Sequence, residues 1–274
     1  MGNVSKPDLQ PFLDRLKSRS VLTGEEQQAI LDLPGRREIV QANRDFIALG
    51  DRVDHACFIL SGLVGRFGEN SDGKRQITAI YITGDVPDLQ SVVQPAASSA
   101  LQALSIATIL RVPHTALRAA AARYPGLTEA FWRDCTVDAD VLAQWVVNVG
   151  RRDARERVAH LLCEMGTRLH AGPAAGEIVF PFAVTQAQLA DATALTNVHV
   201  NRTLQSLRRA QLADVGRQAV RIPNWDALAA VGEFDPAYLQ ADVRPEERLR
   251  IVETVVASGL SHSGTGRTDP QTAR

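Results

Sequence analysis

VTQAQLADATALTNVHVNRTLQSL, residues 184–207, decides how this chain is read. Thr185 opens a short helix as its N-cap, because a Thr hydroxyl accepts from the unpaired N–H groups of a first turn. Leu189 and Ala190 point inward, and the small Ala190 lets a second helix come close. A turn covers Thr193–Leu195. Thr196 caps the second helix, whose inward positions are Val200, Thr203 with Leu204, and Leu207. Two helices this short, joined by so tight a turn, fit a helix-turn-helix. The outer face of the second helix is then Asn197, His199, Asn201, Arg202 and Ser206. These side chains suit base edges and phosphates: Arg fits guanine O6 and N7, and Asn fits adenine N6 and N7.

Residues 195–222 hold five Arg (Arg202, Arg208, Arg209, Arg217, Arg221) against one acid, Asp214. Phosphate attraction is felt at such a patch whatever the charge of the whole chain. Leu212–Ile222 reads as two strands turning at Gly216-Arg217, the wing of a winged helix, with Arg217 placed for a phosphate. The helix pair, the basic skew and the wing, in that order, separate this segment from an ordinary polar helix face.

Around this segment lie 274 residues with 30 Lys and Arg against 31 Asp and Glu, a formal net charge of -1. The hydrophobic fraction of 45% suffices for a core and excludes wholesale disorder. No run of about 18 apolar residues occurs, so no membrane partner is expected. MGNVSKPDLQPF has no apolar secretory core, and Lys6 stands where a myristoylation signal needs Ser or Thr. Cys57, Cys135 and Cys163 lie far apart, which is neither a disulfide framework nor a zinc spacing and suits a reducing cytoplasm.

Upstream, short helices over 8–33 include a capping box at Thr23 and Glu26. From Arg37 to Val112 seven β-rich runs alternate with Gly50-Asp51, Ser61-Gly62, Asp72-Gly73 and Gly84-Asp85 turns, which suggests an antiparallel sandwich or barrel. The spacing predicts a helix from His114 to Arg123, stopped by Pro125-Gly126, and a long helix over 128–150. On the latter Cys135, Leu142 and Val149 are seven apart, with Trp145 between the last two, so Leu142, Trp145 and Val149 are expected to form a dimer seam. The expected fold class is α+β: a sensor β-barrel domain over 1–127, a dimerisation helix over 128–150, a winged helix over 151–231, and a partly disordered extension over 232–274, with one more helix at Pro245–Ala257.

These features together resemble the family of the cyclic-AMP receptor protein and the fumarate–nitrate regulator (Crp/Fnr), over roughly residues 10–230. The Gly turns of the barrel fall where that family places them, and Thr196–Leu207 with Arg202 matches its recognition helix without a gap. The resemblance implies a jelly-roll sensor of the cyclic-nucleotide-binding type, a homodimer, a double-stranded palindromic DNA operator, and contact with RNA polymerase. It implies that Arg202 reads a base, with Thr185, Gln186, Thr196 and His199 at backbone-contacting or edge-reading positions. Two departures stand out. Val198 and His199 occupy the region where the family often has Glu, so the half-site read differs, and Ala194 holds a turn position usually given to Gly.

Cyclic-nucleotide-binding members hold the phosphate with an Arg-Ser pair and the ribose with a Glu. Here Leu89 stands at the Glu position and Ala97 or Ser98 at the Arg position. No Lys, Arg or His occurs from Gln76 to Leu110, and a buried phosphate without a cation is costly. A possible effector pocket at Asp85, Asp88, Ser98 and Ser99 is therefore expected not to take a cyclic nucleotide, and no cofactor is expected. No Cys precedes Cys57, which excludes the iron–sulfur branch. An enzyme reading fails for lack of clustered His, a Gly-rich phosphate loop or a Gly-x-Ser-x-Gly elbow. A ligand-sensing regulatory subunit that does not bind DNA is the other alternative. Arg202 and the acid-free outer face of 197–206 argue against it.

Overall fold

The computed structural model describes residues 6–170, 175–240 and 245–247. Two helices open the chain, α1 (Lys6–Lys17) and α2 (Gly24–Leu31); the Thr23–Glu26 capping box starts the second. Seven strands follow: β1 (Arg36–Val40), β2 (Asp45–Ile47), β3 (His55–Ser61), β4 (Val64–Glu69), β5 (Arg75–Tyr81), β6 (Ala100–Ala103) and β7 (Ala107–Pro113). They form two antiparallel sheets, ordered β1-β7-β3 and β2-β6-β4-β5. Ile59 and Ile109 of one sheet share a buried cluster with Val64, Tyr81 and Leu101 of the other. The expected barrel is thus an open jelly-roll sandwich: the described strands do not close on themselves.

The Gly84-Asp85 turn rests against α1. Gly84 has φ +91°, and a Cβ there would lie 3.0 Å from the Pro11 carbonyl, so the close approach needs glycine. A 3-10 turn at Leu89–Val92, then β6 and β7, one in each sheet, lead to α3 (His114–Arg123).

The helix α3 ends at Arg123, just ahead of Pro125-Gly126 as expected from sequence, and the same dipeptide begins the next helix. The long helix α4 runs Pro125–Arg151, with Pro125 in its first turn, where a missing N–H costs nothing. Its buried face is Leu127, Ala130, Phe131, Asp134, Val137, Val141, Trp145 and Asn148. The three residues expected at a seam on this helix differ in exposure within the subunit. Trp145 is 5% exposed, and its Nε1 donates to Glu164 of the next helix at 2.8 Å. Leu142 and Val149 are half-buried. The stripe left open instead is Trp132, Thr136, Ala139, Ala143, Val146 and Gly150, at alternating spacings of four and three.

The C-terminal unit starts with α5 (Ala154–Leu169), opened by an Asp153–Glu156 capping box. It continues through β8 (Ile178–Pro181), α6 (Gln186–Thr193), α7 (Asn197–Arg209), β9 (Asp214–Val215), β10 (Ala219–Ile222) and α8 (Trp225–Gly232), with a β8-β10-β9 sheet. Gly232 lets α8 lie on α5; a Cβ there would sit 2.7 Å from His160 N.

Residues 233–240 of the expected extension are folded. Tyr238 stacks on His160, and its hydroxyl donates to Glu164 at 3.0 Å. Leu239 is buried, and Gln240 donates to Asp140 of α4 at 3.1 Å. Pro245–Glu247 forms a 3-10 turn; the rest of the expected helix to Ala257 and the tail Ser258–Arg274 lie outside the described residues.

Candidate nucleic-acid interface and effector pocket

The two helices of the C-terminal unit are built from local chemistry. Thr185 caps α6 with a full capping box: its hydroxyl accepts from the Gln188 N–H, and Gln188 Oε1 accepts from the Thr185 N–H at 2.8 Å. Ala194 ends α6 in the left-handed region, φ 53° and ψ 41°, which folds the chain back within one residue. Thr196 caps α7 by accepting from the His199 N–H at 3.3 Å. Val200, Thr203 and Leu207 are buried beneath α7.

On the outer face Asn197, His199, Asn201 and Arg202 are exposed, as are Thr185 and Gln186 at the start of α6; Ser206 is half-buried at the margin. The structure brings Gln186 and Asn201 together, with Asn201 Nδ2 3.4 Å from Gln186 Oε1. Gln205, absent from the sequence reading, joins them by donating to Asn201 Oδ1 at 2.9 Å. Its place one turn after Asn201 was the available signal. Val198, also exposed, offers a methyl surface of the kind that meets thymine.

The basic skew is smaller in space than in sequence. Arg221 forms a two-point pair with Glu177, at 2.9 and 3.1 Å, and Arg208 lies 3.3 Å from Asp214. Arg202 has no side-chain hydrogen bond to any described residue. Arg217 stands exposed at the β9–β10 turn.

Between the sandwich and α4 lies a cavity of about 420 Å³, lined among others by Arg66, Ser98, Ser99, Asp138 and Leu142. Asp88 lines a smaller pocket behind Ser98 and Ser99. It accepts from the Cys57 N–H at 2.7 Å through one oxygen, while the other has no hydrogen-bond partner among the described residues. Burial pushes its pKa up. Asp85, expected with these residues, is elsewhere: it pairs with Arg15 of α1 and with Arg168 of α5 at 2.6 Å.

The expectation of a pocket without a cation is also corrected. Arg66 of β4 reaches it from across the sheet, donating to the Pro87 carbonyl and to Asp138 Oδ2 at 3.1 Å. All three thiols are held protonated by burial: Cys135 is pushed up to about 11, and Cys57 and Cys163 are raised well above the ordinary thiol value.

Residues 156–231 match the Crp-like helix-turn-helix domain, and residues 37–124 the cyclic nucleotide-binding domain. The fumarate and nitrate reduction regulatory protein of Salmonella typhi is 21% identical over 196 residues, covering 72% of this chain and 78% of that protein. The transcriptional activator protein FnrL of Cereibacter sphaeroides is 25% identical over 175 residues, 62% of this chain and 68% of the relative. The structure of FixK2 from Bradyrhizobium japonicum superposes with a TM-score of 0.65 at 23% identity, over 72% of this chain and 96% of that one. With a sensor sandwich, a long helix and a winged helix-turn-helix in that order, this chain belongs to the Crp/Fnr family of DNA-binding transcription regulators.

Proposed function

We propose that the chain acts in the cytoplasm as a homodimer on a palindromic operator, with α7 of each subunit in the major groove. The observation that carries this reading is the outer face of α7. Asn197, His199, Asn201, Arg202 and Gln205 are all exposed on a helix that is capped and anchored from below. Arg202 reads a base edge, Asn201 is set by Gln186 and Gln205, and Thr185, Thr196 and Arg217 meet phosphates. Two-fold symmetry then sets half-sites about one helical turn, ~34 Å, apart.

The dimer forms through the open stripe of α4, with Trp132 and Val146 as its apolar anchors. An effector in the Arg66–Ser98–Ser99 pocket, or its absence, biases the angle between the two winged units through α4. Arg66 is committed to Asp138 and Pro87, so a cyclic phosphate would have to displace these partners. Contact with RNA polymerase follows from the family resemblance. Selection of random duplex DNA by the purified protein tests the reading: a two-fold symmetric consensus is expected, and failure to enrich any duplex at low salt overturns it.

A further inference from the structure

A second cavity, of about 250 Å³, lies outside the pocket just described, where α1, the end of β5, α4 and α5 meet. Three guanidiniums face it: Arg15 and Arg19 from α1, and Arg168 from α5. Asp85 accepts from Arg15 on one oxygen and from Arg168 on the other. A single oxygen of Asp134 accepts from both Arg15, at 2.7 Å, and Arg19, at 2.6 Å. The other nearby acids are taken. Glu164, fully buried, serves Trp145, Tyr238 and Arg168; Asp138 serves Arg66 and the Tyr81 hydroxyl.

Arg19 is thus left with half of one shared oxygen and a Leu239 carbonyl 3.5 Å away. Its Nε has no partner among the described residues. Burial, and then the charge of Arg15, push its pKa down to about 10, the mark of a guanidinium short of negative charge. The cavity is also lined by the apolar side chains of Val137 and Val141 of α4, beside Asp138, and of Leu239 of the folded C-terminal segment.

We propose that this cavity binds a small organic anion, its oxyanion on the free donors of Arg19 and Arg15 and its short apolar body against Val137, Val141 and Leu239. A guanidinium fork matches a carboxylate or phosphate in two-point geometry. The volume lies below the roughly 300–1,000 Å³ of ordinary ligand sites, so the ligand is small. The walls come from the sensor, the long helix, the winged unit and the C-terminal segment together. An occupied site therefore favours the arrangement in which these parts are docked.

The test is calorimetric titration of the full-length, DNA-free protein with benzoate, and with benzamide as its neutral counterpart; no operator is involved, so the result is independent of the DNA reading. Saturable benzoate binding is expected, with benzamide inert and affinity reduced at least about tenfold in Arg19→Gln and partly restored in Arg19→Lys. Absence of benzoate binding, equal binding of benzamide, or unchanged affinity in Arg19→Gln overturns the proposal. Should Arg19→Gln fail to fold, Ser18→Phe, at the exposed rim, closes the mouth instead; benzoate binding that survives it overturns the proposal equally.

Discussion

The indole of Trp145 and the carboxylate of Glu164 meet at 2.8 Å, and this contact ties the long helix to the first helix of the winged unit. Glu164 is fully buried and also serves Tyr238 and Arg168. Trp145→Phe takes away one donor while keeping most of the ring. It should lower stability by about 1–3 kcal/mol in denaturant unfolding, the usual cost of leaving a buried acceptor short. Sedimentation of the same variant should still show a dimer.

Trp132 is 67% exposed on the opposite side of that helix, and Val146 is 70% exposed. An Asp at position 132 would place a charge inside a dimer seam while burying nothing within the subunit. Trp132→Asp should therefore yield folded monomers with unchanged unfolding of the isolated subunit and greatly reduced DNA affinity. A dimeric Trp132→Asp protein would falsify the seam assignment.

Arg202 and Arg217 should separate base reading from phosphate attraction. Arg202→Ala is expected to cost about 1–3 kcal/mol on the selected operator and to relax base preference at one position. Arg217→Ala should weaken binding to all duplexes alike and lower the slope of log affinity against log salt by roughly one unit. Competition titrations at several salt concentrations distinguish the two patterns.

Ala194 holds the left-handed turn of the helix pair at φ 53°. Glycine adopts this conformation without the Cβ clash. Ala194→Gly should raise stability by roughly 0.5–1 kcal/mol and leave operator affinity intact. A lower melting temperature would show that the side chain, rather than the backbone, is what the turn needs.

His160 is buried against Gly232, Phe234 and Tyr238. Burial, and then Arg152, hold its pKa down at about 4. The unfolded chain takes up a proton near pH ~6.5, so the stabilisation is complete above that pH and is lost as pH falls toward 4. Urea unfolding between pH 4.5 and 7 should show stability falling with acid, by about 1.4 kcal/mol per unit at most from this residue. His114, also lowered by burial, adds to the slope. His160→Gln should flatten the profile relative to the parent, and coincident slopes would remove His160 as its source.

The winged helix was legible because its signals are local. Caps at Thr185 and Thr196, a small Ala190 and a turn at Gly216 each act within a few residues of themselves. All seven strands were legible for the same reason, from alternation and glycine turns. What was not legible depends on partners distant in sequence. Trp145 and Trp132 both fit a helical stripe, and only Glu164, nineteen residues beyond Trp145, decides which is buried. Arg66 enters the effector pocket because β4 pairs with β6 and β5, so a scan of residues 76–110 for a cation could not find it. Asp85 was read as a pocket residue from its turn, yet Arg15, 70 residues before it, and Arg168, 83 residues after it, claim it.

The match to the helix-turn-helix domain ends at residue 231, but residues 233–240 go on to touch α1 through Arg19, α4 through Asp140 and α5 through Glu164. A chimera that exchanges the reading head of this protein for that of a relative must therefore place its downstream junction after residue 240. Cut at 232, the graft would strip Tyr238 and Leu239 from a surface shaped to receive them, and its failure would be mistaken for an incompatibility of the heads themselves.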